Sequence, residues 1–122
     1  MLQQIKDVRQ IKGEPHRRWF TDEHLDLVIW DEEREIVGFQ LCYDKAHGER
    51  AVTWKTESGF SHNAVDDGED RAGRYKGSPI LLADGVFDAE RVAAIFLGHS
   101  GVLDAKSSDF IYLKLLEYPQ ND

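Results

Sequence analysis

The hydrophobic residues of this chain change period along its length, from two to about 3.6, and that switch limits the fold more than any motif does. In Leu25-Asp26-Leu27-Val28-Ile29-Trp30, Leu25, Leu27 and Ile29 fall on one side, while Val28 and Trp30 make the other side partly apolar. Asp31-Glu32-Glu33-Arg34-Glu35 reads as a polar hairpin connection. The alternation resumes from Ile36 to Tyr43, with Val37, Phe39, Leu41 and Tyr43 in phase. After a turn from Asp44 to Arg50, the segment Ala51 to Thr56 sets Val52 and Trp54 on the matching side. Connections this short favour an antiparallel meander, because parallel pairing needs a crossover of about a dozen residues or more. Arg17 to Thr21 adds a short strand before the meander, and Ser78 to Leu82 gives a further strand or an extended lead into the helices. Leu2, Ile5, Val8 and Ile11 recur every three residues, yet the segment is rich in β-branched side chains and ends at Gly13-Glu14-Pro15, so Ile5 to Ile11 is read as a strand.

The C-terminal third is helical in pattern. Asp88 suits a helix cap, Phe87 and Val92 stand at the spacing of a hydrophobic staple, and Val92, Ile95 and Phe96 form a stripe before the stop signals Gly98 and Gly101. A second helix is expected from Ala105 to Tyr118, stopped by Pro119, with Phe110, Ile111, Leu113, Leu115 and Leu116 wrapping more than half its circumference. That breadth implies burial by the sheet and by either the first helix or a second subunit. The expected fold is a single α+β domain over residues 1–122: an antiparallel sheet of about four to six strands followed by two helices packed on one face. Its core is expected to contain Val37, Phe39, Leu41, Val52, Trp54, Ile95, Phe96, Ile111 and Leu115.

Composition excludes several classes of function. No apolar run approaches the ~20 residues of a membrane-spanning helix, and Met1-Leu2-Gln3-Gln4-Ile5-Lys6 has no signal-peptide pattern, so a cytoplasmic setting is expected. Cys42 is the single cysteine and forms no intrachain disulfide. A net charge of −8, with acids crowded into Asp66 to Asp70, disfavours nucleic acid as a partner. The signatures of a P-loop, a dinucleotide-binding turn and a nucleophile elbow are missing, and no cofactor is expected.

The chemistry-bearing residues crowd into residues 59–79, which hold four glycines, His62, four acids and three bases. A calcium loop fails on register, because with Gly68 at the turn Val65 and Arg74 fall where oxygen ligands belong. His62 and Asp66 are four apart, so a helical turn would let Asp66 or Asp67 orient His62 as an acid or base, or let the three hold a divalent cation; no metal is expected. Arg74, Tyr75 and Lys76 are candidates for holding a small anionic ligand. Arg17 and Arg18, followed by Trp19 and Phe20, are a second candidate for the same chemistry. Cys42 with His47 or His62 would make a thiol nucleophile and base, against which stands its place on a sheet face. The second side of the meander combines Val28 and Trp30 with Gly38, Gln40, Cys42, Ala51 and Thr53. That describes a shallow concavity with Gln40 and Thr53 as polar anchors.

The strings Arg17-Arg18-Trp19-Phe20, Asp26-Leu27-Val28-Ile29-Trp30, Gly38 to Lys45, Thr53-Trp54, Gly59-Phe60-Ser61-His62 and Val65-Asp66-Asp67-Gly68-Glu69 together resemble a group of small bacterial proteins with no established activity. The resemblance implies a bacterial origin and a recurrent fold, and gives no residue a role. The expectation from the residues is a ligand-binding or protein-interaction module without catalysis, self-associating as a two-fold dimer. The alternative is a small enzyme using His62 with Asp66 or Asp67.

Overall fold

The computed structural model describes residues 1–46, 48–66, 80–83 and 87–119. They form β1 (Gln3–Ile5), β2 (His16–Thr21), β3 (Asp26–Glu32), β4 (Glu35–Tyr43), β5 (Arg50–Lys55), β6 (Gly59–Asp66) and β7 (Ile80–Ala83), then α1 (Ala89–His99) and α2 (Ala105–Glu117). The seven strands pair antiparallel in chain order, as a meander. This is the α+β arrangement the change of period predicts, with more strands than the alternation shows. The additional one is β6, whose residues read in sequence as part of a connection. β1 is the other departure, three residues ending at Ile5 rather than a strand running to Ile11.

Register explains the core. Phe20, Leu27, Leu41 and Val52 face one another in a row across β2 to β5, with Ile29, Phe39 and Trp54 in the next row. Phe20, Leu27, Ile29, Phe39, Leu41 and Val52 are all at most 2% exposed. They share one cluster with Val92 and Phe96 of α1 and Ile111 and Leu115 of α2, so both helices bury their apolar stripes on this face. Each such side chain contributes about 2 kcal/mol by leaving water. Trp54 and Ile95 pack on the cluster while staying partly exposed.

Val37 departs from the expected core. Trp30 lies opposite Gly38 and Asp31 opposite Ile36, which leaves Val37 as the extra residue of a bulge. The bulge reverses the alternation beyond it, so Ile36 turns toward the core instead. Beyond it, Glu33 and Arg34 take left-handed φ values of 50° and 68° and close the hairpin in two residues. Gly38 makes room for the indole on the opposite face: a Cβ there would meet Trp30 Cε3 at 3.1 Å and the Trp54 carbonyl oxygen at 2.9 Å.

The helix signals read from sequence are present. The Asp88 side chain accepts from the Arg91 N–H at 3.2 Å, and Phe87 and Val92 are both buried. The helix runs through Gly98 and stops at His99, with Ser100 as its cap. Asp104 caps α2 by accepting from the Ser107 N–H at 3.0 Å. Among the described residues no helix is long and apolar enough to cross a membrane.

Candidate functional site

The site begins with a tight turn. Between β2 and β3, Asp22 Oδ1 accepts from the backbone N–H groups of His24 at 2.7 Å and Leu25 at 2.6 Å, and the Asp22 N–H returns a bond to the Leu25 carbonyl at 2.9 Å. A short carboxylate side chain bonding the backbone two and three residues on is what makes aspartate a turn former. Its second oxygen, Oδ2, lies 2.7 Å from His99 Nδ1 and 3.4 Å from the Met1 amino group. His99 is the last residue of α1, and its carbonyl accepts from the Leu2 N–H at 3.0 Å. Asp22 therefore ties a turn of the sheet to the end of a helix.

The Asp22 backbone makes a third attachment. Its carbonyl accepts from Lys45 Nζ at 2.8 Å, and the same ammonium reaches Asp26 Oδ1 at 3.0 Å. Lys45 comes from the β4–β5 connection, which lies at the same end of the sheet because β2 runs into that end and β4 does too. Asp44, with a left-handed φ of 54°, bends the chain there and is held by a two-pronged pair with Arg91, at 3.2 and 3.0 Å.

These elements enclose a cleft of about 630 Å³ lined by His24, Leu25, Tyr43, Asp44, Lys45, Ala46, Ile95 and His99. Leu25, Tyr43 and Ile95 supply its apolar part. His24 and His99 meet edge to face at 5.5 Å between ring centres. The Asp22 carboxylate is only 6% exposed. Burial alone would raise its pKa, but the hydrogen bond with His99 and those from the backbone of Leu25 and His24 outweigh it, drawing the group down to about 2. A carboxylate that stays ionised, bonded to one imidazole nitrogen, fixes the ring and sets which nitrogen faces the solvent side. His99 Nε2 has no hydrogen-bond partner among the described residues.

The residues expected to form a site are placed differently from this. His62 sits in β6, is 6% exposed, and bonds through Nε2 to the Tyr43 hydroxyl. Its ring stacks on Tyr43 at 5.9 Å and packs against Phe87 at 5.0 Å and Tyr118 at 6.3 Å. Asp66 ends the same strand, so the helical turn that would join it to His62 is not formed. Four residues of strand set their backbones about 13 Å apart. Asp67, Arg74, Tyr75, Lys76 and His47 lie outside the described residues. Arg17 and Arg18 point to opposite faces, as neighbours on a strand must. Arg18 is taken up structurally: it grips Asp31 through Nε at 2.8 Å and Nη2 at 3.1 Å and reaches Ser107 at 3.2 Å. Arg17 lies across from Trp30 and donates to the Arg9 carbonyl. Gln40 and Thr53, the expected anchors of the concavity, bond each other at 3.0 Å. Burial, with the charges of Glu49 and Asp26, pushes the Cys42 thiol up to about 12, which leaves it protonated and a poor nucleophile.

Sequence reasoning passed over Asp22, His24, Lys45 and His99. Asp22 and His99 are 77 positions apart, and only Thr21-Asp22-Glu23-His24, a turn with an acid beside a histidine, carries a local signal. No group of three or more potential metal ligands occurs among the described residues. No family model, no curated protein and no solved structure matches the chain.

Proposed function

We propose that this domain is a small-molecule-binding module, cytoplasmic in setting, whose site is the cleft organised by Asp22. The observation that carries the proposal is that a single residue positions three polar groups of the cleft: His24 through its backbone N–H, Lys45 through a carbonyl, and His99 through a carboxylate. An apolar floor with a few convergent polar groups is the usual make-up of a ligand site. Lys45 has three donors and commits two of them to Asp22 and Asp26, so one remains for a ligand. The ligand fitted by this arrangement is small, with an apolar body and an anionic or carbonyl oxygen directed at Lys45 and the two imidazoles. Titrating benzoate and inorganic phosphate into labelled protein tests the reading through amide shifts. Shifts gathered at Leu25, Ala46, Ile95 and His99, and weakened at least tenfold by Lys45→Met, are expected. Shifts gathered instead around Arg17 and Trp30 would move the site to the other face of the sheet.

We also propose self-association through the outer side of α2. Leu113 and Leu116 are 55% and 40% exposed, which is the uncovered remainder of the broad apolar helix seen in the sequence. Sedimentation at micromolar concentration, with Leu113→Lys as the disrupting variant, tests this; a monomeric mass for the unaltered chain removes it.

A further inference from the structure

We infer that the cleft does proton-transfer chemistry on a small carbonyl acid, with His99 as the base and Lys45 as the group that receives the developing negative charge. This rests on the cleft being the binding site. It is carried by the hydrogen-bonded order Asp22–His99 at 2.7 Å, by the 2.8 Å bond that brings Lys45 to the same residue, and by the presence of both side chains in one cleft wall.

The geometry assigns each part a role. With His99 Nδ1–H donating to the Asp22 carboxylate, the lone pair of the neutral ring sits on Nε2, where it can accept a proton. The Asp22 side chain is 6% exposed and also accepts two backbone N–H bonds, which hold it in place and keep the ring in one orientation. Asp22 is a positioning residue and His99 the catalytic one. Among the described residues no serine, threonine or cysteine lines the cleft, so acyl transfer to a hydroxyl or thiol has no agent here. A base and a fixed cation in a half-apolar cleft suit removal of a proton beside a carbonyl group. In that step the C–H bond breaks and its proton moves to His99 Nε2. The electron pair forms the C=C bond of an enolate, and the carbonyl π pair moves to the oxygen facing Lys45 Nζ. The imidazolium formed is paired with Asp22, and it returns the proton to carbon in the reverse direction. No oxidant, reductant or second substrate enters the balance. Simple 2-oxo and 3-oxo acids are the class, because each combines an acidic C–H, a carbonyl oxygen and an anionic end within a body small enough for 630 Å³.

The test is exchange of carbon-bound hydrogen in D2O, with pyruvate and acetoacetate as probes and the full chain as catalyst, followed by loss of their proton NMR signals. The unaltered protein is expected to exchange at least one of them a hundredfold or more above buffer. His99→Gln, which keeps a hydrogen-bonding side chain for Asp22, is expected to lose at least a hundredfold of that rate. Asp22→Asn is expected to lower the rate at saturating probe about tenfold or more while the probe concentration at half-saturation stays within a factor of two, a split that loosened folding alone would not give. Amide spectra establish that each variant is folded. If both probes shift the cleft amides of the unaltered protein but exchange no faster than in buffer, the proton-transfer inference is overturned and the binding site stands. If neither probe shifts those amides while benzoate and phosphate do, the substrate class is wrong and the inference falls with it. If no probe of any kind shifts them, the cleft reading itself is lost.

Discussion

Two histidines of this chain each make a short contact to a neighbouring side chain, and the two neighbours differ in charge. His62 bonds the phenol of Tyr43 inside a stack of rings that includes Phe87 and Tyr118. His99 bonds the carboxylate of Asp22 at the rim of a cleft, beside a second histidine and a lysine. A phenol supplies an uncharged partner, which lets an imidazole replace an aliphatic residue in the core at little electrostatic cost. A carboxylate supplies a charge, which orients the ring through its bonded nitrogen. The first arrangement packs an imidazole among rings of the core, and the second holds one at the cleft where the proposed chemistry needs it. That Tyr43 belongs to both regions, bonding His62 and lining the cleft, makes the contrast testable from either side.

The largest expected effect is on the aromatic wall. Phe87 is 2% exposed and contacts Tyr43, His62 and Tyr118 at ring distances of 6.2, 5.0 and 4.7 Å. Phe87→Ala is expected to cost about 3–5 kcal/mol in urea denaturation, the range for deleting a buried phenylalanine ring. A loss below about 1 kcal/mol would mean that this wall is not core, and the distinction between the two histidines would weaken.

Next in size is Asp22. Its folded pKa is lowered from 3.8 to about 2, so the folded state holds the ionised form more tightly than the unfolded chain does. The stability this contributes is present above pH ~4 and is lost as pH falls from there through the folded pKa near 2. The shift corresponds to about 2 kcal/mol, with little solvent screening for a side chain 6% exposed. Asp22→Asn is therefore expected to be less stable than the unaltered chain by about 2 kcal/mol at pH 7, and the gap should close as both are taken toward pH 2. A gap of constant size across that range would show that Asp22 acts through shape and not through charge.

The sequence revealed the sheet where the alternation was clean and missed it where a polar residue occupied an inward slot. In the middle of β3 to β5 the inward residues Leu27, Ile29, Phe39, Leu41, Val52 and Trp54 are apolar, and these strands were readable to within two residues at each end. In β6 the inward positions are Phe60, His62 and Ala64, facing Trp54, Val52 and Arg50 across the ladder. A histidine in the middle slot interrupts the hydrophobic pattern, and Tyr43, 19 positions earlier, meets it there with a hydrogen bond. The bulge at Val37 escaped for a related reason: an inserted residue leaves local composition unchanged and reverses phase only beyond it. The cleft was less legible still. Asp22, Lys45 and His99 lie on three separate connections or ends, and only the meander's register brings those ends together. The acidic, glycine-rich segment drew attention because its chemistry is concentrated in sequence, whereas the cleft concentrates its chemistry in space.

The smallest effect expected is also the one that asks most directly whether His62 is a core residue. Tyr43→Phe removes the hydroxyl bonded to His62 Nε2 and keeps the ring that stacks on it. Losing one neutral hydrogen bond in a buried setting costs about 1 kcal/mol, more if the partner is left without a replacement. If His62 only fills space, the substitution should lower stability by about that amount and leave ligand shifts at Leu25, Lys45 and His99 unchanged, because the ring wall of the cleft remains. If instead the two histidines work as one system, the hydroxyl is the link between them. Its removal would then weaken binding in the cleft by much more than the stability loss accounts for. Parallel urea denaturation and benzoate titration of the Tyr43→Phe chain separates these results: a binding loss above tenfold in a protein destabilised by about 1 kcal/mol would join the regions into one site.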